Sequence, residues 1–82
     1  MERRRSRFPG LEDAAERRRE LIARLAEVRQ QLGLTQTDVA ARMGTSQSAV
    51  ARLEAGELDV RLSTLDRYAA AVGVAVSWEV RR

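Results

Sequence analysis

Gly44 separates two short apolar periodicities, and this division constrains the fold of the 82-residue chain more than any other feature. Val39 and Met43 stand four apart before it, and Val50 and Leu53 stand three apart after it. Each pair marks one face of a helix, and the spacing leaves room for only about two turns on either side. Ala40 puts a small side chain where two helices cross closely, and Gly44 supplies the positive φ of a tight turn. Residues 35–54 therefore predict two short helices folded across a glycine. Gln47, Ser48 and Arg52 are turned away from the apolar framework. Amide, hydroxyl and guanidinium groups on an exposed helix are the groups that read base edges in a DNA major groove.

The flanking segments are also helical. Leu11, Ala14, Arg18, Leu21, Leu25, Val28 and Leu32 follow alternating steps of three and four, one stripe interrupted only by Arg18. Glu12, Asp13 and Glu16 near its start and Arg29 near its end suit the helix dipole, and Gly33 supplies a C-cap. The weakly apolar half around Ala14 to Arg19 reads as a solvated extension in preference to a dimer contact. Thr35 and Asp38 have the spacing of a capping box for a second helix. Gln36, in its first turn, is placed either to meet a phosphate or simply to be solvated. A third helix starts near Ser46 or Gln47 and ends at Gly56. A fourth is expected from Thr64 to Val72, capped by Ser63 with Asp66 three positions on and stopped by Gly73. Leu62, Leu65, Tyr68, Ala69 and Val72 would form its inner face.

The period then changes from helix to strand. Val74, Val76, Trp78 and Val80 alternate with Ala75, Ser77, Glu79 and Arg81. A lone strand has no partner in its own chain, so residues 74–82 are expected to pair with the same strand of a second subunit across a two-fold axis. A short fifth helix is the competing reading, disfavoured by three valines and the lack of a good N-cap.

Composition removes several classes of function. With 44% hydrophobic and 33% charged residues, the chain predicts a single globular domain. No apolar run approaches the roughly 20 residues of a membrane span, so no membrane partner is expected. No secretory signal is visible and there are no cysteines, which predicts a cytoplasmic protein without disulfides. Having neither Cys nor His, the chain offers no metal site and no neutral-pH general base. Neither a nucleophile elbow nor a phosphate loop is present, so no enzyme and no cofactor is expected.

All 15 basic residues are arginine. Arg3, Arg4, Arg5 and Arg7 face only Glu2 within residues 1–10, whereas the other 72 residues hold 11 arginines and 11 acids. The net charge of +3 thus lies in an N-terminal arm, which is read either as a solubilising tail or as an arm reaching DNA phosphates or a minor groove.

Residues 31–78 resemble the Cro/cI-type (XRE) helix-turn-helix family of bacterial and phage regulators. The resemblance is carried by Leu32-Gly33-Leu34-Thr35-Gln36, Val39-Ala40, Met43-Gly44 and Ser46-Gln47-Ser48-Ala49-Val50. Arg52-Leu53-Glu54-Ala55-Gly56 and Leu65-Asp66-Arg67-Tyr68-Ala69 complete it. It implies an all-α fold: a compact four-helix, lambda-repressor-like helix-turn-helix domain over residues 11–73. The basic arm 1–10 would precede this domain, and the strand 74–82, with Val74, Val76, Trp78 and Val80 at the dimer contact, would follow it.

In such a family the helix holding Gln47 enters the major groove of double-stranded DNA. Carried over, Ser46, Gln47, Ser48 and Arg52 are the candidate base readers, and Gln36, Arg42 and Arg61 the candidate phosphate contacts. Glu57 and Asp59 flank Arg61 and oppose that role. Arg29 and Glu54 are expected to form a structural salt bridge. The implied function is a homodimeric repressor reading a palindromic operator. The long first helix and terminal strand look most like small antitoxin-type autorepressors, whose partner is a toxin protein. The alternative is a protein-interaction module that neutralises a partner with little DNA specificity.

Overall fold

The structure, a computed structural model, describes residues 9–57, 59–77 and 80. Among them the chain forms four helices: α1 Pro9–Gln31, α2 Gln36–Met43, α3 Gln47–Glu54 and α4 Leu62–Val72. The arm arginines Arg3, Arg4, Arg5 and Arg7, and Trp78 of the expected strand, lie outside the described residues. Pro9 opens α1, two residues ahead of the expected start. A proline fits there because its fixed φ is already helical and a first-turn N–H has no acceptor to lose.

The inward face of α1 is rotated from the apolar stripe. Ile22, Leu25 and Arg29 are buried, Leu21 and Val28 are only half-buried, and Leu32 is 57% exposed. Counting apolar residues misses this phase because one of the inward positions belongs to an arginine. The charge at Arg29 is accommodated by a carboxylate on α3, as described below.

Local chemistry fixes the limits of α2. Thr35 Oγ1 accepts from the Asp38 N–H at 3.0 Å, and Asp38 Oδ2 accepts from the Thr35 N–H at 2.8 Å, closing the capping box. At the other end Gly44 adopts φ 71°. The Thr45 N–H donates to the Ala40 carbonyl at 2.9 Å and the Gly44 N–H to that of Ala41 at 3.3 Å. This is a Schellman motif, and it turns the chain directly into α3. Ser46 caps α3 by accepting the Ala49 N–H at 3.1 Å.

The start of α4 differs from expectation. Arg61, not Ser63, is the N-cap residue, and its side chain makes no cap. The Arg61 carbonyl accepts from the Thr64 and Leu65 N–H groups at 3.0 and 3.1 Å, so the first turn is already wound when Ser63 is reached. Leu62, assigned to the inner face from sequence, is 53% exposed. Leu65, Tyr68, Ala69 and Val72 are buried, and Ala71 joins them.

The core fills the space where α2 meets α3 and α4 and where α1 lies over α3 and α4. Val39, Ala40, Met43, Val50, Leu53 and Leu65 carry most of it, with Val60 entering from the loop before α4.

The expected terminal strand finds no support among the described residues. Residues 74–77 are irregular, and no strand or fifth helix is present among the described residues. Val74 and Val76 do alternate with exposed Ala75 and Ser77, but they pack against the core of their own chain. Ladder hydrogen bonds require a second strand, and this chain supplies none among the described residues. Over residues 74–77 the alternation places one face on the core. Val80, placed at the dimer contact from sequence, is 97% exposed.

Candidate nucleic-acid interface

The polar face of the two short helices is built outward from one carboxylate. Glu54, at the last turn of α3, receives Arg29 Nε at 2.6 Å and Arg29 Nη2 at 3.0 Å, a bidentate pair. Arg29 Nη1 also donates to the Leu34 carbonyl at 2.7 Å, fixing the turn between α1 and α2. The Tyr68 hydroxyl of α4 donates to Glu54 Oε2, and Gln36 Nε2 of α2 donates to Glu54 Oε1 at 2.9 Å. No side-chain polar atom buried among the described residues lacks a partner.

The electrostatics follow from this arrangement. Burial alone would raise the Glu54 carboxyl, but hydrogen bonds from Arg29, Tyr68 and Gln36 outweigh it and hold the group below the ordinary carboxylate range. The hydrogen bond to Glu54 raises the already high value of Arg29. Burial, and then the neighbouring carboxylate, push the Tyr68 hydroxyl far up, so it stays protonated as a donor.

From Gln36 the network reaches the surface. Gln47 Nε2 donates to Gln36 Oε1 at 2.6 Å, so the first side chain of α3 is tethered through one glutamine to Glu54. Gln47 is exposed and Gln36 half-buried. Ser46 and Ser48 are both exposed, with hydroxyl oxygens 3.2 Å apart. Arg52 is exposed one turn further along. The structure thus brings Gln36, Ser46, Gln47 and Ser48 to one end of α2 and α3, with Arg52 beyond.

The other two phosphate candidates are held by different contacts. Arg42 Nη1 donates to the Ala71 carbonyl at 2.8 Å, where α4 ends. Arg67, given no site role from sequence, answers from α4 by donating to the Met43 carbonyl at the end of α2. Each arginine thereby satisfies a carbonyl left without an intrahelical partner, next to the negative end of a helix dipole. Arg61 is exposed and lines an open cavity of about 350 Å³ with Asp59, Thr45, Thr64 and Arg67, floored by Met43, Val50, Leu53 and Val60.

Tyr68 and Arg67 are the structural contributors that sequence reasoning missed. Periodicity places Tyr68 in the core as an apolar body, and only its hydroxyl, which needs a partner when buried, could have signalled the link to Glu54. Arg67 carries no signal beyond its charge. No helix among the described residues is long and apolar enough to cross a membrane, and no group of three or more potential metal ligands lies together among them.

Comparison with known proteins agrees with this geometry. A helix-turn-helix family model matches residues 25–78, which contain α2, α3 and α4 together with the end of α1. The chain is 53% identical over 55 residues to a Mycobacterium tuberculosis H37Rv protein named "Putative antitoxin HigA3", covering 65% of this chain and 50% of that one. It is 47% identical over 62 residues to "Antitoxin HigA1" of M. tuberculosis CDC 1551, covering 76% of this chain and 41% of the relative. The chain spans about half the length, or less, of these curated relatives. No solved structure matches it significantly. On the family model and the residues that build α2 and α3, the chain belongs to the Cro/cI-type (XRE) helix-turn-helix family.

Proposed function

We propose that the chain is a sequence-specific DNA-binding repressor that reads a palindromic operator as a homodimer through the exposed face of α3. The observation that carries this reading is the ordered polar end of α2 and α3, where Gln47 is held by Gln36 and Gln36 by Glu54. Gln47, Ser48 and Arg52, with Ser46 beside them, read base edges. Gln36 and Arg61 contact phosphates, and Arg42 adds the N–H groups that Ala71 does not use. An eight-residue helix reads only a few base pairs, which favours two copies on two half-sites. The word antitoxin in the names of the curated relatives supports a second role, binding a toxin protein.

Selection of bound duplexes from a random pool at defined salt tests the reading. The expected result is a near-palindrome with half-sites about 10–11 base pairs apart, or a multiple of that spacing. A pool that emerges without any sequence preference would overturn it in favour of a protein-interaction module. For the second role, co-expression with the product of an adjacent reading frame should yield a stable complex.

A further inference from the structure

Arg18 interrupts the apolar stripe of α1, and the structure gives it a partner outside its own helix. Its Nη2 lies 2.7 Å from Asp59 Oδ1, with the arginine side chain 30% exposed and the aspartate 87%. The next residue, Arg19, lays Cγ and Cδ 3.6 Å from where a Cβ on Gly56 would stand. The middle of α1 thus reaches over the loop that leaves α3.

That loop carries Glu57, Asp59 and Arg61, three charges that sum to −1. Arg61 is exposed and has no ion-pair partner among the described residues. Asp59 stands two residues from it, close enough in sequence to repel a phosphate approaching Arg61 or to take the guanidinium for itself. Arg18 opposes both effects. It offsets the loop's own net charge of −1 and holds the Asp59 carboxylate toward α1.

We infer that Arg18 is a positioning residue for DNA binding: by pairing with Asp59, it frees Arg61 to bind a backbone phosphate. The inference rests on the DNA-binding reading above. An ion pair as exposed as this one adds little to stability, so its main consequence is for the field around Arg61.

The test uses the full chain with Arg18→Gln, Asp59→Asn and the double variant, each with and without Arg61→Ala. Fluorescence anisotropy reads binding to the selected operator and to a random duplex of equal length at low salt, where screening is weak. Arg18→Gln should weaken binding to both duplexes by about threefold per protomer, the effect of one unit charge several ångströms from a phosphate in water. In that background Arg61→Ala should cost little more, although it weakens the wild-type chain. Asp59→Asn should bind at least as well as wild type, and the double variant should recover. Thermal melting of each variant separates loss of binding from loss of fold. If Asp59→Asn weakens binding as much as Arg18→Gln, the bridge merely anchors the loop and the inference is overturned. It is also overturned if Arg61→Ala costs the same with and without Arg18. Binding to both duplexes without operator preference would instead strike at the sequence-specific reading, leaving the Arg18 result to stand on its own.

Discussion

At the scale of single residues, Glu54 is the position on which the candidate interface depends. Its carboxylate is nearly out of contact with water, so removing one member of the Arg29–Glu54 pair leaves the other charge buried and uncompensated. Glu54→Ala should cost about 3–5 kcal/mol, read from the urea midpoint. The pair should also make stability depend on pH. The folded pKa of Glu54 lies below its reference value of 4.5. Its stabilising contribution is therefore complete above about pH 4.5 and lost as pH falls through the folded value. The gap in stability between wild type and Glu54→Gln should narrow over that acidic window; a constant gap would show that the charge of Glu54 is irrelevant. The same residue marks a limit of sequence reading. Only family resemblance leads to the Arg29–Glu54 pair, because nothing in the spacing of residues 25 apart joins them. The hydroxyl of Tyr68 and the amide of Gln36 are further partners that depend on three-dimensional convergence, which no local pattern encodes.

At the scale of elements, helix ends are legible in the sequence and helix phases less so. The capping box at Thr35 and Asp38 and the glycine stops at Gly33, Gly44 and Gly73 are short-range chemistry, visible in a few consecutive letters. The phase of α1 is not, because a buried arginine breaks the rule that inward means apolar. The start of α4 escapes sequence reading for a related reason. Ser63 is the better N-cap by type, but the chain winds from Arg61 so that Leu65 and Tyr68 reach the core. Gly44→Ala should destabilise by about 1–2 kcal/mol, because the left-handed conformation disfavours a Cβ. The open space around Gly44 means that no steric clash adds to this cost. Differential scanning calorimetry checks it, and an unshifted melting temperature would contradict a left-handed turn at Gly44. On α3, Arg52→Ala should weaken operator binding by about 1–3 kcal/mol and relax the preference at one base pair. Equal loss on every sequence would reassign Arg52 to the phosphate backbone.

At the scale of the whole molecule, the charge distribution separates reading from grip. The net charge of +3 belongs to residues 1–10, and the helix-turn-helix segment itself is balanced, Arg42 and Arg52 against Asp38 and Glu54. Removing residues 1–10 should therefore weaken binding to all DNA sequences alike and flatten the salt dependence, by about 0.9 in logarithmic slope for each phosphate that the arm neutralises. Base preference in a selection experiment should be unaltered, and a changed consensus would mean that the arm itself reads sequence. The one large sequence expectation that finds no support among the described residues also lies at this scale. A two-residue period suggests a strand, but period alone does not say what the buried face meets, and Val74 and Val76 meet their own core.

Glu54 is also the point at which all four helices meet, through Arg29 of α1, Gln36 of α2, its own α3 and Tyr68 of α4. No helix can swing out without breaking a hydrogen bond to the Glu54 carboxylate, so each partial opening carries a cost at this shared group. Native-state amide exchange should accordingly show one common opening free energy for the slowest amides of α2, α3, α4 and the second half of α1. Exchange near the start of α1 should be faster. In the Glu54→Gln protein the common value should split, with separate helices opening on their own.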